Sequence, residues 1–443
     1  MHPTSFANGI EATFDSLISG RLAILAGAGL SMASPSNLPS AARIALLAKQ
    51  KYESIYGTSR AALPDGISEQ ADFFFSRGEL STVYFAVLVD PNSFAAPPNP
   101  GHAAIADLQL VQLVDLSITT NIDTLIEHAG ATLYGQIFPC IDGAQLSTIP
   151  IGAASLLKVH GCIACDHDNT VWAVAQIGQP PISERIAKTR ATLKDRLLNK
   201  DLLVVGYWTD WDYLNSVLDE SLGLVNPSKV IVVDLADAAT FPTKAPELYK
   251  LGSRASSFMH VKVSGADFLA ELRNRFSVSF VRQILYSGRA EFENTYTSVP
   301  NPSWLEPGPD DNDTYWWIRR DLEGCLPNKP ALASQPPANE PLMGLTLLQI
   351  QAAGGVRNGR YWELNGKKIR LLRTPNQALH RAISNFEREI APTVAPDIII
   401  AVGSEDFALP SHVARGSSAP TIARGTSGQW LTRPQALTNF GIT

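Results

Sequence analysis

A buried strand that runs directly into a glycine loop constrains this chain more than any other feature. Residues 22–26 read Leu-Ala-Ile-Leu-Ala, and Gly27-Ala28-Gly29 follow at once. An apolar run of this length is typical of a parallel strand that is buried on both faces. Glycines at its end let the backbone turn with positive φ and approach an anion closely, because no Cβ intervenes. The pattern predicts an α/β sheet with a phosphate-binding loop at this strand end.

The composition favours a globular protein with a small-molecule ligand. A chain of 443 residues, 45% of them hydrophobic, has room for two or three domains. The formal net charge of −6 gives no overall electrostatic signature for nucleic acid or an anionic membrane. Four cysteines are too few for a disulfide framework, and neither a leader pattern nor a long apolar run is found. We therefore expect a cytoplasmic location and no membrane contact.

Apolar runs alternate with helical patterns as far as residue 276. Besides 22–26, strands are predicted over 114–119, 154–159, 201–205 and 229–233, and residues 260–263 with a helix over 267–276 close the pattern. Helices are predicted over 6–18, 41–51, 68–89 (one or two), 103–113, 124–129 and 182–199. Five strands that alternate with helices predict a doubly wound parallel sheet.

Polar residues follow the predicted strands. They are Thr119, Thr120, Asn121 and Asp123 after the second strand, His160 after the third, Gly206-Tyr207 after the fourth and Asp234 after the fifth. The carboxyl ends of parallel strands meet at one edge of a sheet, where open α/β proteins bind their ligands. One crevice is therefore expected to collect these residues.

Structural roles compete with functional ones at three of the polar positions. Asp123 could cap the helix over 124–129, and Asp234 could be the N-cap of a helix from Ala236 onward. His102 in Asn99-Pro100-Gly101-His102 either touches a ligand or lies at the surface or caps the turn, and the structural interpretations are favoured.

The cysteines allow a similar choice. Cys162 and Cys165 form a Cys-x-x-Cys pair, which Cys140 and His167 could complete as a metal site. Reduced, buried thiols are the favoured interpretation, so no metal is expected.

Three short motifs together resemble the sirtuin-type NAD-binding fold over about residues 10–276. They are Gly27-Ala28-Gly29-Leu30-Ser31, Thr119-Thr120-Asn121-Ile122-Asp123 and Lys158-Val159-His160-Gly161. Gly206-Tyr207 and Asp234 are similar to the family's adenosine-side loops. The resemblance implies catalytic roles for His160, Asn121 and Asp123. It implies NAD binding by Gly27, Ala28, Gly29, Ser31, Thr119, Thr120, Gly206, Tyr207 and Asp234.

The chain departs from the protein deacylases of that family. No second cysteine pair follows Cys165, so a four-cysteine zinc ribbon is missing, and the acidic Gly-Glu strand is missing too. Asn37-Leu38-Pro39-Ser40 stands where deacylases have Asp-Phe-Arg, and Thr120 where they have Gln. The chain is therefore more similar to the sirtuin-like NAD hydrolases of prokaryotic antiviral defence.

That resemblance implies NAD as the substrate, with nicotinamide and ADP-ribose as products, and no metal. It also implies activation by a protein partner encoded nearby or by self-association. An NAD-dependent deacylase or ADP-ribosyltransferase stays open as an alternative, as does a module that senses NAD or ADP-ribose without cleaving it.

The remaining sequence predicts a smaller C-terminal domain. We expect an NAD-binding domain over 1–295, a linker region rich in Pro and acidic residues over 296–341, and an α+β domain for partner binding or regulation over 342–443. Within the last, a hairpin over 361–373 turns at Asn365-Gly366, a helix covers 378–390 and a strand covers 397–402.

Basic residues cluster on this hairpin. They are Arg357, Arg360, Lys367, Lys368, Arg370 and Arg373. A solvated face is the favoured interpretation. Direct contact with nucleic acid is open only in this C-terminal region.

Overall fold

The structure of the protein is a computed structural model. It describes residues 1–57, 59–133, 135–207, 217, 219–220, 222, 225–308, 314–324, 339–386, 395–405 and 429–442, with the backbone only at 375, 384 and 385. The chain divides into two compact units, Met1–Leu272 and Arg273–Thr443. Each is described by itself.

The first unit is built on an eight-stranded sheet in which every described pairing is parallel. Its strands are β1 His2–Pro3, β2 Leu22–Ala26, β3 Ser117–Thr119, β4 Ile137–Cys140, β5 Ala154–Lys158, β6 Asp201–Val205, β7 Lys229–Asp234 and β8 Ser257–Lys262. Their order across the sheet is β1-β8-β7-β6-β2-β3-β5-β4. The predicted α/β class is therefore confirmed.

Strand β2 lies at the point where the order of the strands reverses. Its neighbours are β3 on one side and β6 on the other, with Ala26 in register with both Thr119 and Val205. The loops after β2, β3 and β6 consequently leave the sheet side by side. In open α/β sheets such a switch point opens a crevice for ligands.

Helices cover the sheet, and most of them lie where the sequence predicts them. In the first unit they are Phe6–Ile18, Ala28–Ser31, Ala41–Tyr56, Ile67–Phe75, Pro100–Leu110, Leu125–Thr132, Gly143–Thr148, Val174–Ile177, Ile182–Arg196, Phe241–Lys244, Pro246–Arg254 and the start of Gly265–Ser287. A π-helix covers Leu80–Leu88, and short 3-10 turns cover Pro91–Phe94 and His167–Asn169.

The predicted count of five strands was too low. The two strands that the prediction missed altogether, β1 and β4, lie at the edges of the sheet. β1 has two residues, both exposed, and β4 contains Pro139 and is only partly buried. Edge strands tolerate proline and carry no continuous apolar run, so hydrophobicity alone does not reveal them.

The second unit has its own five-stranded sheet, in the order β13-β12-β11-β10-β9. The strands are β9 Val356–Asn358, β10 Tyr361–Leu364, β11 Lys367–Ala378, β12 Ile398–Glu405 and β13 Gln429–Thr432. Strands β11, β12 and β13 are parallel, and β9 and β10 are antiparallel additions. The helices of this unit are the rest of Gly265–Ser287, Arg289–Tyr296, Tyr315–Glu323, Glu340–Ala352, Leu379–Phe386 and Arg433–Phe440, with a 3-10 turn at Pro302–Trp304.

The hairpin of the second unit turns as predicted. Asn365 and Gly366 both have positive φ, 53° and 70°, which a type I′ turn requires. Strand β12 continues through Gly403 to Glu405, three residues beyond the predicted end at 402. Residues 387–390 of the predicted helix lie outside the described residues.

The basic residues of the hairpin do not all form a solvated face. Arg360 and Arg370 both pair with the buried carboxylate of Asp321, through N–O distances of 2.9 and 2.7 Å. Arg373, which is 5% exposed, lies 3.7 Å from Glu340. The periodicity of the hairpin could not show this, because Asp321 comes from a helix about 40 residues away in sequence.

The predicted domain limits at 295 and 341 stay a prediction. The compact units divide earlier, after Leu272. In the described part of 296–341, Leu305, Tyr315 and Ile318 are buried in the core of the second unit. That part of the predicted linker is therefore folded, and residues 309–313 and 325–338 lie outside the description.

Within the described ranges, no helix combines the length and the apolar character that a bilayer crossing requires.

Candidate functional site

A cavity of about 340 Å³ opens at the carboxyl ends of β2, β3 and β5 in the first unit. Eight of the predicted site residues line it: Ala28, Gly29, Ser31, Thr120, Asn121, Asp123, His160 and Tyr207. Four others are not among the lining residues: Gly27, Thr119, Gly206 and Asp234. Thr119 lies directly behind the wall, where its hydroxyl donates to the carbonyl of Ala26 and accepts from the amide of Asn121, each at 3.0 Å.

Glycine is needed at positions 27 and 29 because of close packing, and not because the backbone has a positive φ there. Gly27 has φ −115°, and Gly29 lies in the short helix Ala28–Ser31. A Cβ on either residue would come within 2.8 Å of the carbonyl oxygen of Gly206, which belongs to the loop after β6. The amides of Gly27 and Gly29 donate to the carbonyls of Val205 and Gly206. The prediction of positive φ was wrong, because two backbone loops touch here and leave no room for a side chain.

The Ser31 hydroxyl is the centre of a buried hydrogen-bond network. It donates to Asp123 Oδ2 at 2.8 Å, because a carboxylate can only accept. It accepts from Asn121 Nδ2 at 2.9 Å and lies 3.1 Å from His102 Nε2. A hydroxyl has one donor and two acceptor positions, so Ser31 makes all the hydrogen bonds that it can make.

The same network fixes the amide of Asn121. Its Nδ2 donates to Ser31 Oγ and, at 3.3 Å, to the carbonyl of Gly27. Both amide protons are thereby used, and the nitrogen must lie on that side. Oδ1 is buried and has no hydrogen-bond partner among the described residues. Asn121 therefore offers an acceptor to whatever donor enters the cavity that it lines.

Asp123 combines the two roles that the sequence left open. Its Oδ1 accepts from the backbone amide of Leu125 at 3.1 Å, so it stabilises the first turn of the next helix. Its Oδ2 belongs to the Ser31 network, and the side chain lines the cavity. The buried ammonium of Lys158 bonds to the Asp123 carbonyl and pairs with Glu127 at 2.8 Å. Burial opposes the charged form of Lys158, but the Glu127 carboxylate raises its pKa overall.

The geometry of His160 defines its tautomer. The ring is 2% exposed, and its Nδ1 lies 2.9 Å from the carbonyl oxygen of Thr120. A carbonyl only accepts, so Nδ1 carries the proton and Nε2 of the neutral ring is the acceptor. Burial lowers the pKa of His160 to about 3. The nearby charge of Arg185 lowers this pKa as well, whereas the hydrogen bond to Thr120 raises it. The ring is neutral at pH 7, the form in which Nε2 can take a proton.

The sequence did not predict that His102 contacts Ser31 in the site. It is 1% exposed, so the surface interpretation was wrong, whereas the capping interpretation is confirmed. Its Nδ1 accepts from the backbone amide of Asn99 at 3.1 Å in a capping box. Its Nε2 reaches Ser31, 71 residues earlier in the sequence. The Asn-x-x-His spacing at a helix start signals the cap, but no local pattern reveals the contact with Ser31.

The rest of the cavity wall is mostly apolar. Trp172 is held by a hydrogen bond from its Nε1 to Thr170 Oγ1 at 2.9 Å, and its ring packs against Phe85 and Phe94 at centroid distances of 5.3 and 6.0 Å. Phe94 and Trp172 both line the cavity. Such a wall excludes water and strengthens electrostatic interactions inside the cavity.

Asp234 lies at the end of β7, apart from the lining residues. Its Oδ1 accepts from the amide of Ala236 at 2.8 Å and lies 3.1 Å from His260 Nε2. The prediction of a helix from Ala236 was wrong, because the chain turns there and the next helix is Phe241–Lys244. Its Oδ2 is buried without a hydrogen-bond partner among the described residues. Its assignment to an adenosine ribose stays a prediction.

The three cysteines within the described residues are free thiols, but only part of the expectation about them is confirmed. Cys140 and Cys162 are buried, whereas Cys165 is exposed. Burial raises the pKa of Cys140 to about 11 and, together with Cys162, that of Cys165 to about 12. In the part of the chain that the structure describes, no cluster of three or more His, Cys, Asp or Glu side chains could hold a metal ion.

The sheet defines an α/β protein, and its cavity lies at the switch point where open α/β sheets bind ligands. Residues 115–247, which include Asn121, Asp123 and His160, match the SIR2-like domain family. Among solved structures, a Sir2 complex with a p53 peptide and NAD+ is similar, with 16% identity, 61% of this chain and 99% of that chain covered, and a TM-score of 0.36. A complex of a Sir2 homologue with NAD is similar at 15% identity, with 59% and 91% covered and a TM-score of 0.34. No relative was found among curated proteins.

Proposed function

We propose that the first unit is an NAD+ glycohydrolase, which converts NAD+ and water into nicotinamide, ADP-ribose and a proton. The observation that carries the proposal is that Asn121, Asp123 and His160 line one cavity with the glycine loop. The match of residues 115–247 to the SIR2-like domain family supports NAD as the ligand.

The chemistry needs little acid catalysis. The leaving nicotinamide is already a cationic pyridinium, and the transition state carries positive charge at the ribose carbon. The site must hold the dinucleotide, admit one water molecule and stabilise that charge. The Asp123 carboxylate supplies the negative charge, and the apolar wall around Trp172 excludes bulk water.

Water activation falls to Asn121 and His160. Asn121 Oδ1, which lacks a partner among the described residues, would accept a hydrogen bond from the attacking water or from a ribose hydroxyl and so orient it. Nε2 of neutral His160 would take the proton that water loses when its oxygen bonds to the ribose carbon. The electron pair of the broken glycosidic bond leaves with nicotinamide.

The remaining predicted residues place the rest of the dinucleotide. The pyrophosphate would lie along Ala28 and Gly29, which line the cavity, while Gly27 and the fully bonded Ser31 hydroxyl support that loop. Thr119 and Thr120 would support the nicotinamide side. Gly206, Tyr207 and Asp234 would meet the adenosine half.

We also propose a biological role as an NAD-depleting effector of antiviral defence. The resemblance of the sequence motifs to such hydrolases supports it. In this role a partner encoded nearby, or self-association, would switch the enzyme on, and the second unit would receive that signal.

The test is product analysis of NAD+ incubated with the purified full-length protein over a range of protein concentrations, alone and with co-expressed neighbours. The proposal predicts equal amounts of nicotinamide and ADP-ribose with water as the only acceptor. Nicotinamide release that needs an acylated peptide or an ADP-ribose acceptor contradicts hydrolysis and establishes a transferase. NAD binding without cleavage under every condition contradicts an enzyme and establishes a sensing module.

A further inference from the structure

The network around Ser31 contains the three residue types of a hydrolytic triad, but its proton arrangement differs from that of a triad. A serine nucleophile needs a histidine that accepts the hydroxyl proton. Here the Ser31 proton goes to Asp123 Oδ2. The histidine that faces Ser31 must therefore act as a donor.

The partners of His102 define its tautomer. The backbone amide of Asn99 can only donate, so His102 Nδ1 is the acceptor in that bond and carries no proton. Burial lowers the pKa of His102 to about 4 against the attraction of Asp123, so the ring is neutral at pH 7. Its single proton is on Nε2, which donates to Ser31 Oγ at 3.1 Å. This tautomer is the opposite of that of His160.

We infer that His102 is a positioning residue for the candidate site, because its Nε2–H bond fixes the Ser31 hydroxyl that in turn orients Asn121 and Asp123. With His102 and Asn121 donating to the two lone pairs of Ser31, the hydroxyl proton is directed to Asp123. The Asn121 amide nitrogen must then face Ser31, and its oxygen can accept a hydrogen bond from a ligand. His102 is not among the residues that line the cavity and acts only through Ser31.

The inference rests on the proposed NAD-cleaving function, and two substitutions separate positioning from capping. His102→Asn places an acceptor near the position of Nδ1, so it keeps the bond from Asn99 and loses the donor to Ser31. His102→Gln places a donor near the position of Nε2, so it keeps the bond to Ser31 and loses the cap. Each variant is the control for the other.

The experiment measures nicotinamide release, NAD affinity and thermal unfolding of the full-length variants. We expect His102→Asn to keep its melting temperature and lose turnover by about 100-fold, as a misplaced catalytic group does. We expect His102→Gln to keep turnover within about threefold and to melt about 2–4 °C lower, because one cap is lost. The reverse order, or losses of turnover that follow the loss of stability, overturns the inference.

A measurement independent of turnover tests the arrangement itself. Nitrogen NMR of histidine-labelled wild-type protein reports which ring nitrogen carries the proton. A proton on Nε2 of His102 and on Nδ1 of His160 supports the inference, whereas a proton on Nδ1 of His102 overturns it. Wild-type protein that cleaves no NAD under any condition contradicts the proposed function, and the tautomers still decide whether His102 holds Ser31.

Discussion

Two of the buried histidines, His102 and His160, should make the protein markedly less stable in mild acid. Burial lowers the pKa values of His102 and His160 to about 4 and about 3, whereas an unfolded chain has histidine pKa values near the ordinary 6.5. At pH values between the folded and the unfolded pKa, the unfolded state binds protons that the native state does not bind. The free energy of unfolding therefore falls as the pH drops below about 6.5 and stops falling once the folded pKa values are passed.

The magnitude follows from the linkage relation. At pH 5 each histidine is protonated in the unfolded state and neutral in the native state, so each lowers the free energy of unfolding by about 2 kcal/mol relative to pH 7. This figure depends little on the exact folded pKa values, because both lie well below 5. Together the two residues account for about 4 kcal/mol.

Urea unfolding at pH 7 and pH 5 measures this effect. His102→Asn and His160→Asn should each reduce the pH-dependent loss by about 2 kcal/mol, and the double variant by about 4 kcal/mol. His128→Asn is the matched control for the substitution itself, since this side chain is exposed. The same pH dependence in wild type and double variant would refute the assignment of neutral, buried rings.

Three further predictions concern packing, charge and catalysis. Gly29→Ala should lower the free energy of unfolding by about 1–3 kcal/mol in a urea titration, because its Cβ would lie 2.7 Å from the Gly206 carbonyl oxygen. Gly178→Ala is the control and should show no such loss, because a Cβ there meets open space. Asp321→Asn should cost about 3–5 kcal/mol in the same assay, because it removes the buried negative charge with which two guanidinium groups pair; a loss below 1 kcal/mol contradicts the buried cluster. For NAD cleavage, kcat/KM should not decline through histidine protonation as the pH falls from 8 to 5, because His160 of the free enzyme stays neutral over that range. A decline centred near pH 6.5 would speak against His160 as the base.

The sequence predicted the central elements because their patterns are local. Strands β2 and β6 and the helix Phe6–Ile18 have the predicted bounds, since uninterrupted apolar runs and helical spacing are visible in single segments. The turn at Asn365-Gly366 was predictable for the same reason, because the residue types themselves favour positive φ.

What escaped prediction depends on tertiary contacts. The fit of Gly29 against Gly206 joins segments that are far apart in sequence, and the bond from His102 to Ser31 joins the start of one helix to the end of another. The pairing of Arg370 with Asp321 likewise turns a residue expected in solvent into a buried one. The sequence indicated which residue types gather at the strand ends, but not which hydrogen bonds fix their protons.

The most direct test of the account compares nicotinamide release from NAD+ by wild type, His160→Ala and the exposed control His128→Ala under conditions in which all three bind NAD. The account predicts that wild type and His128→Ala release nicotinamide and ADP-ribose together from NAD+ and water, and that His160→Ala binds NAD but releases neither. Equal rates in wild type and His160→Ala would contradict the central claim that His160 activates the attacking water.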